Sequence, residues 1–589
     1  MSVLTRTPDE PAPPPIAALT DRYKWTVLSN TTLGMFMATL DASIVLISLP
    51  AIFRGINLDP LAPANVSYLL WLLMGYLLVT AVLVVTFGKL GDMYGRVRMY
   101  NAGFAVFTAA SIALSLTPGH GASAAMYMII MRIVQGIGGA LLMANSTAIL
   151  TDAFPVDQRG TALGISMIAG IAGSFIGLVL GGVLADVNWR LVFWVNVPFG
   201  LFGTAWAYLK LKEISRARRG KLDVWGNITF GLGLTLVLVG ITYGIQPYKH
   251  HAMGWTGPWV ELELLLGVAL LIAFGFIELH AEDPMFRLSL FKIRAFTAGN
   301  AANLLGAIAR GGLQFMLIIW LQGIWLPQHG YDYARTPLWA GIYMLPITAG
   351  FLLSAPISGY LSDRFGARPF ATGGMIVGGL SFLLLMFLPA NFSYELFGVL
   401  LLLNGLAFGL FAAPNTTAIM NSVPAADRGA ASGMSATFRN SGMVLSIGLF
   451  FSLMIVGLAS TLPHTLYGGL VGQGLDSRSA TTISHLPPVA LLFAAFLGYN
   501  PMKTLLGPKL ASLSPAAQAN VTGRSFFPHL ISSPFLHGLR IAFTMSVVMC
   551  LVGAGCSALR GGRAAAEDAE VRGLPPEDLE AVVEESMPA

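Results

Sequence analysis

The sequence predicts an all-α membrane protein with fourteen transmembrane helices in two related halves. Apolar residues make up 55% of the 589-residue chain and charged residues only 11%. This number of charges is too small to cover a water-facing surface on a chain of this length. The main solvent of the chain must therefore be lipid. The second observation is an internal repeat, in which a short charged loop returns about 270 residues further along the chain.

The repeated loop is rich in glycine and charge, and each copy lies between long apolar runs. Its members in the first copy are Gly88, Asp92, Gly95, Arg96 and Arg98, and in the second copy Gly359, Asp363, Arg364, Gly366 and Arg368. A shorter motif also occurs twice, at residues 155–160 and 424–429. A duplicated membrane chain with one such loop in each half is typical of two-lobed transporters.

Apolar runs of about 20 residues match a hydrocarbon core of ~30 Å. They predict spans at 27–52, 66–87, 99–117, 125–150, 160–183, 190–210, 224–244, 258–279, 297–325, 338–361, 370–389, 394–420, 430–457 and 537–558. Because Gly88 follows the second span and Gly359 follows the tenth, two more spans separate the copies than a simple six-span repeat allows. We place the extra pair between the halves, at 224–279.

This division predicts five regions. They are a cytoplasmic N-tail at 1–26, a six-helix bundle at 27–210, two linker helices with flanking loops at 211–296, a second six-helix bundle at 297–558 and an acidic cytoplasmic C-tail at 559–589. The second bundle contains a long outer loop at 458–536. The apolar stretch 487–501 within that loop is too short to span easily, so we expect an interfacial or re-entrant helix there rather than a fifteenth span.

Lys and Arg are concentrated on one side of the predicted spans, which places both tails and both repeated loops on the cytoplasmic side. We expect the protein in the cell (inner or plasma) membrane. These basic residues flank the membrane, so the net charge of +5 does not indicate a nucleic-acid partner. We find no phosphate-binding loop, zinc-protease motif or nucleophile elbow. The sequence therefore predicts no enzyme and no cofactor, and it points to an ion gradient as the energy source. We expect a monomer.

Several further motifs resemble those of the fourteen-span drug:proton antiporter branch of the major facilitator superfamily. They are residues 40–50 in the first span, Arg132–Gly136 in the fourth, a glycine series in the fifth and Asn188–Pro198 at the start of the sixth. Leu178 stands where the family usually has proline. The resemblance covers residues 27–457 and implies the major facilitator fold, two six-helix bundles plus two additional helices.

The resemblance also implies a function. We expect a proton-coupled exporter of amphipathic small molecules, a multidrug efflux antiporter that works by alternating access in the lipid bilayer. One alternative is a dedicated exporter of an endogenous lipid or metabolite. A second alternative, from another class, is a membrane sensor or scaffold that transports nothing.

Asp41 is the candidate for proton coupling. It lies about 15 residues into the first span, roughly 20 Å from its end, where a carboxylate is costly unless it is paired, hydrated or protonated. Burial raises the pKa of such an acid and a nearby cation lowers it. The alternative is a structural acid in a hydrogen-bond network with Ser43. For Arg132 the resemblance implies proton transfer or pairing across the first bundle, and the alternative is a purely structural ion pair.

The repeated loops are candidates for a cytoplasmic latch, because carboxylates favour helix N-termini and neighbouring arginines can pair across a lobe interface. Its residues are Gly88, Asp92, Gly95, Arg96, Arg98, Asp363 and Arg364. The alternative is that these charges only shape the loops and set topology.

The fifth-span glycines allow close helix approach, and the resemblance implies that they seal the lobes against each other. They are Gly164, Gly173, Gly177, Gly181 and Gly182. The alternative is ordinary helix packing.

Four residues of the second half are candidates for cargo contact. Arg310 is a cation inside the ninth span, where it could favour anionic or zwitterionic cargo. Its alternative is snorkelling or pairing with a distant carboxylate. Arg439 in the thirteenth span is similar. Phe315 and Trp320 could line an adaptable apolar cavity, and the alternative is that they pack in the core.

Overall fold

The structure is a computed structural model. It describes residues 20–560 except 60, 61, 63, 64, 215–222, 247, 250–252, 282, 283, 285, 334, 425–427, 498 and 499. Only the backbone is described for Val66, Val156, Asp157, Arg159, Gly160, Thr161, Asp363, Arg428 and Gly429. Most of the predicted N-tail and nearly all of the predicted C-tail lie outside the described residues.

The first half of the chain forms one helical bundle, which we call the N-lobe, followed by a pair of linker helices. The N-lobe helices are α1 Asp21–Gly55, α2 Val66–Tyr94, α3 Arg96–Ser115, α4 Gly121–Ala153, α5 Val156–Val187, α6 Leu191–Trp194 and α7 Asn196–Lys210. The linker helices are α8 Val224–Gly244 and α9 Pro258–His280. They pack against each other, and α8 also contacts α2 of the N-lobe and α16 of the second half.

The second half forms the C-lobe. Its long helices are α10 Arg294–Trp320, α13 Leu345–Phe365, α14 Ala367–Met386, α15 Tyr394–Asn421, α16 Arg428–Val471 and α21 Phe526–Ala558. Its short helices are α11 Leu326–Gln328, α12 Thr336–Tyr343, α17 Ser477–Ser484, α18 Pro488–Phe496, α19 Met502–Leu506 and α20 Pro515–Val521. A π-helical turn at Leu321–Trp325 joins α10 to α11.

The predicted number of spans is confirmed. Within the described residues, fourteen helical segments are long and apolar enough to cross a membrane. Two of them, α8 and α9, are the linker pair, so six spans remain in each lobe. The all-helical architecture predicted from apolar content and repeat length is therefore the observed one.

The repeated loops adopt matching backbone geometry in the two lobes. Gly95 ends α2 and begins α3 with φ of 107°, and Gly366 ends α13 and begins α14 with φ of 83°. Residues with a side chain rarely adopt this left-handed region. Each glycine thus lets one span turn directly into the next. We call the side of the molecule that carries these two loops the motif face.

The opposite side carries the long segment between α16 and α21, and its structure differs from the predicted outer loop. Helix α16 continues to Val471 and α21 begins at Phe526, so the two spans themselves occupy both ends of the predicted loop 458–536. Between them, α17 and α18 meet at a bend of 81°. Each residue at 489–496 of α18 is at most 2% exposed. This burial fits the re-entrant alternative, and we call α18 the plug and this side the plug face.

Aromatic contacts hold the plug against the C-lobe. Phe493 stacks on Phe451 with ring centroids 5.4 Å apart, and Phe496 packs edge-on against Phe315 at 5.2 Å. The π-helical turn crosses the plug closely, since a side chain at Gly323 would lie only 2.7 Å from the Ala495 carbonyl. The plug also contacts α2 of the N-lobe, so it bridges both lobes at this face.

We expect Phe496→Ala to destabilise the protein, because removing a fully buried phenylalanine typically costs about 3–5 kcal/mol. Phe496 is 0% exposed and Phe387, a matched control at the end of α14, is 70% exposed. The thermal unfolding midpoint in detergent should fall by several degrees for Phe496→Ala and stay nearly unchanged for Phe387→Ala. Equal midpoints for the two variants would contradict the buried position of the plug.

Candidate functional site

Asp41 lies at the centre of a buried polar network in the N-lobe. Its Oδ2 forms an ion pair with Arg132 Nη1, and its Oδ1 accepts hydrogen bonds from Gln135 Nε2 at 2.9 Å and Asn196 Nδ2 at 2.7 Å. All four side chains are at most 1% exposed. Helices α1, α4 and α7 each contribute to the network, so the packing of the whole N-lobe fixes its geometry.

Arg132 is held on the remaining sides as well. Its Nη1 donates to Gln135 Oε1 at 2.6 Å, its Nε donates to the Leu72 carbonyl at 3.3 Å, and its guanidinium lies 4.6 Å from the ring centroid of Tyr76. Gln135 Nε2 also donates to Ser111 Oγ at 2.9 Å. The cation therefore keeps several contacts that do not depend on the Asp41 charge.

Every group that faces the Asp41 carboxylate in this network is a donor. Such an arrangement suits the ionised acid, since a protonated carboxyl would need an acceptor for its own hydrogen. Ser43, the partner of Asp41 in the alternative interpretation, is not among the hydrogen-bond partners of Asp41 in this structure. Ser43 instead packs near Gly177 of α5.

Sequence reasoning missed the roles of Gln135, Asn196, Ser111 and Tyr76 around the Asp41–Arg132 pair. Two of them were visible as polar residues in motifs already noted, Gln135 in the fourth span and Asn196 in the sixth. An amide in an apolar span is a signal for a buried partner. Ser111 and Tyr76 carry no such signal, because serine and tyrosine are common in membrane helices.

The motif face of the N-lobe carries a charge cluster centred on Arg96. Its guanidinium pairs with Asp92 at 2.7 Å and with Asp152 at 2.6 Å. The Glu213 carboxylate accepts from the backbone N–H groups of Arg96 and Val97, both at 3.0 Å, and so binds the N-terminus of α3. Asp152 and Glu213 were not predicted. These contacts join the N-lobe helices to each other and to Glu213, which follows α7.

The other predicted latch residues form fewer contacts. Arg98 is exposed, and a side chain placed at Gly88 would meet nothing within 4 Å. In the C-lobe, the guanidinium of Arg364 lies 4.7 Å from the ring of Tyr360 on its own helix. The side chain of Asp363 lies outside the described residues. The repeated loops thus share backbone geometry, and the charge cluster is seen in the N-lobe.

The fifth-span glycines separate into two kinds. A side chain at Gly173, Gly177 or Gly181 would meet the backbone of α1, as at Gly177, where it would lie 2.6 Å from the Leu40 carbonyl. These three glycines serve packing within the N-lobe. Gly182 instead abuts the backbone of Leu338 in α12, across the lobe interface, and Gly164 has nothing within 4 Å.

The lobes contact each other at the plug face. Besides the Gly182 contact, Gly341 of α12 lies against the Leu178 carbonyl, and Gln322 Nε2 donates to the Ile47 carbonyl at 3.4 Å. Towards the motif face, an apolar cleft of about 100 Å³ lies between α5 and α13/α15. Residues Ile168 and Phe351 line its two walls.

The four predicted cargo contacts also divide. Phe315 and Trp320 are 2% and 0% exposed and pack in aromatic clusters of the C-lobe core in this structure, as the alternative for them describes. Phe315 contacts Phe496 of the plug, and Trp320 packs against Phe392. Arg310 is partly exposed, and its guanidinium lies between the rings of Phe351 and Phe408. Arg439 is exposed.

Comparison with known proteins agrees with this architecture. The family model of the Major Facilitator Superfamily matches residues 31–447. The chain is 30% identical to a riboflavin transporter of Clostridioides difficile (strain 630) over 74% of this chain and 90% of that protein. It is 28% identical to the tetracenomycin C resistance and export protein of Streptomyces glaucescens over 93% and 94%. It is also 30% identical to the multidrug resistance protein Stp of Mycobacterium tuberculosis (strain CDC 1551 / Oshkosh) over 75% and 78%.

We expect Gly182→Val to prevent closure of the plug face, because the added side chain has no room against the Leu338 backbone. Gly164→Val is the matched control, since that position is open. Spin labels on Leu116→Cys and Phe387→Cys, both exposed residues on opposite lobes, report the separation by pulsed electron paramagnetic resonance. The background replaces Cys550 and Cys556 with serine. The label distance should lengthen in Gly182→Val alone, and an unchanged distance would show that Gly182 does not seal the lobes.

Proposed function

The chain belongs to the Major Facilitator Superfamily, and we propose that it is a proton-coupled exporter of amphipathic small molecules, a multidrug efflux antiporter. Two relatives whose names include drug resistance support the choice of cargo and direction. We place the motif face in the cytoplasm, as the distribution of Lys and Arg predicts. The two bundles, 27–210 and 297–558, then move as units, and a single chain is the functional unit.

The observation that carries this proposal is the buried Asp41 carboxylate with its donors. An ionised acid inside a membrane bundle is costly, and losing one partner of a buried ion pair costs about 3–5 kcal/mol. Proton binding at Asp41 neutralises the carboxylate and weakens its attraction to Arg132. Arg132 keeps its contacts to Gln135, the Leu72 carbonyl and the Tyr76 ring. The N-lobe can therefore accommodate the network with Asp41 either ionised or protonated.

A change of charge state drives transport when it favours one conformation of the lobes over the other. In this structure the carboxylate faces only donors, and an apolar cleft lies between α5 and α13/α15 towards the motif face. We assign this arrangement to the cytoplasm-facing state after proton release. Protonation from the opposite side then accompanies the state in which the plug face opens. One proton entering the cell supplies roughly 2.3 kcal/mol per 100 mV, in addition to any pH difference.

The remaining candidates have mechanical roles in this cycle. In the present state Arg96 pairs with Asp92 and Asp152 of its own lobe. We propose that in the opposite state the loop pairs across the interface with the loop of Asp363 and Arg364 and holds that face shut. Gly182 seals the plug face in the present state. Gly173, Gly177 and Gly181 keep α5 tight against the helix that carries Asp41.

A second candidate function is export of one endogenous metabolite or lipid. The similarity to a riboflavin transporter favours this candidate, because that relative is named for a single solute. Both candidates use the same lobes and the same Asp41 network. They differ in cargo range, so transport of many unrelated amphipathic dyes would favour the first and transport of one cellular solute would favour the second.

We expect Asp41→Asn to abolish uphill transport and to retain downhill exchange. Asparagine is nearly the same size as aspartate and cannot carry the proton. In proteoliposomes with an imposed pH gradient, accumulation of dyes from a panel of both charge signs should fall at least about tenfold, the equivalent of ~1.4 kcal/mol. Exchange of preloaded dye without a gradient should continue, and release of luminal protons on addition of cargo should stop.

The matched control is Asp21→Asn, at a side chain that is 88% exposed at the start of α1. This variant should behave as the wild type in each assay. If Asp41→Asn still accumulates dye and moves protons, proton coupling at Asp41 is wrong. If accumulation and exchange are lost together in a well-folded variant, Asp41 has a structural role only.

A further inference from the structure

The C-lobe contains two cations at membrane depth that the proton-coupling network does not use. They are Arg310 on α10 and Arg439 on α16. Within the part of the chain that the structure describes, neither guanidinium has a recorded ion pair or hydrogen bond. An unpaired cation inside a membrane is costly and typically marks a pathway or a ligand site. These two arginines are therefore candidates for binding an anion.

Arg310 is fixed in place without being neutralised. Its guanidinium carbon lies 4.8 Å from the ring centroid of Phe351 on α13 and 5.5 Å from that of Phe408 on α15. Cation–π contacts of this kind orient a guanidinium and leave its N–H donors free. Arg310 is partly exposed, and Phe351, which its guanidinium contacts, also lines the cleft between α5 and α13.

Arg439 is exposed on α16, a helix that contacts both α10 and the N-lobe helix α2. One turn further along α16, Gly442 packs against Ala307 of α10, and on another side Gly433 faces Val85 of the N-lobe helix α2. At 100° per residue, Arg439 is turned by about 60° from Gly442 and by about 120° from Gly433 around α16. Helices α10 and α16 run side by side, and Gly311 next to Arg310 packs against Met443. The two cations therefore lie about one helical turn apart in depth.

No acid of the C-lobe lies at the same depth. In the sequence of the C-lobe spans, the two acids are Asp363, near the end of α13, and Glu395, at the start of α15. In the N-lobe, Asp41 is already paired with Arg132. The interior space therefore has a positive charge excess on its C-lobe side. Such a field concentrates anions and repels cations.

We propose that the cargo is an amphipathic anion whose charged group binds Arg310 and Arg439. This inference rests on the proposed export function and narrows its substrate class. The apolar cleft between α5 and α13 shares the residue Phe351 with the Arg310 site. An organic anion can place its apolar body along this cleft and its carboxylate, sulfonate or phosphate against the guanidinium donors.

The charge of the cargo also affects the energetics of transport. Export of an anion moves negative charge out of the cell, and the exchanged proton moves positive charge in. Both movements follow an inside-negative membrane potential, so the potential drives each half of the exchange. The two arginines thus compensate the charge of a cargo that the membrane potential itself helps to expel.

The test compares two dyes with the same xanthene framework and opposite net charge, sulforhodamine B (anionic) and rhodamine 6G (cationic). Binding to purified protein in detergent is measured by fluorescence anisotropy, and uptake is measured in proteoliposomes with an imposed pH gradient. The variants are Arg310→Gln, Arg439→Gln and the charge-keeping control Arg310→Lys. Thermal unfolding checks that each variant is folded, and the two glutamine variants test the site independently.

We expect the wild type to bind sulforhodamine B more tightly than rhodamine 6G. Each glutamine variant should weaken binding of sulforhodamine B about 10- to 100-fold, the range for loss of a charge-assisted hydrogen bond. Neither should weaken binding of rhodamine 6G. Arg310→Lys should lose less than Arg310→Gln, because it keeps the positive charge.

The anion proposal is overturned if the wild type fails to bind sulforhodamine B or prefers rhodamine 6G. It is also overturned if both glutamine variants bind the anionic dye as the wild type does. The two assays separate this proposal from the export proposal. Arginine-dependent binding without gradient-driven uptake means that export fails and the anion site stands. Gradient-driven uptake of rhodamine 6G alone means that export stands and the anion site fails.

Discussion

The structure depends on one buried charge pair, Asp41 with Arg132, in a bundle that lipid surrounds. Hydrocarbon offers no hydrogen bonds, so each ionised atom in this region needs a protein partner. The N-lobe meets this requirement by drawing an acid from α1, a cation and an amide from α4 and a second amide, Asn196, from α7. In the proposed cycle, the positions of these helices depend on the protonation state of this one carboxylate.

The two lobes share a backbone design and differ in their chemistry. Gly95 and Gly366 make the same left-handed turn at equivalent places, which is what duplication of one bundle predicts. The interiors have diverged. The N-lobe interior holds a neutralised pair, while the C-lobe interior holds Arg310 and Arg439 without an acid at their depth. Proton handling and cargo recognition are thus divided between lobes, in the scheme proposed above, and a charge change in one need not disturb binding in the other.

The sequence predicts the helical framework well, because length and apolarity are local properties. Fourteen spans, the position of the linker pair and the repeated turns at Gly95 and Gly366 all follow from them. The partnership of Asp41 and Arg132 was also foreseeable, since each lies alone in an apolar run. The position of the plug could not be predicted in the same way. Its short apolar helix is compatible with a membrane interface or with protein on every side, and only the packing of distant segments decides between these positions.

The aromatic and glycine candidates show the same limit. Phe315 and Trp320 have the composition of a cavity wall, yet the plug covers Phe315 and other rings of the C-lobe enclose Trp320. A helical repeat of glycines predicts close packing and does not identify the neighbour. Gly177 and Gly182 lie on one helix, but the first touches α1 and the second touches α12 in the other lobe. Which neighbour each one meets depends on tertiary structure that no local pattern encodes.

These glycine contacts form a mechanical connection between the charge pair and the lobe interface. Gly177 lies against the carbonyl of Leu40, the residue before Asp41, and five residues along α5 Gly182 lies against Leu338. Without side chains to deform, such contacts transmit displacement with little loss, because packed interiors are stiff. In the proposed cycle, a shift of α1 that follows neutralisation of Asp41 moves α5 as well, and the moved α5 loses its contact with α12. In this cycle, proton binding at Asp41 is coupled to opening of the plug face through the close glycine contacts of α5, without long-range electrostatics.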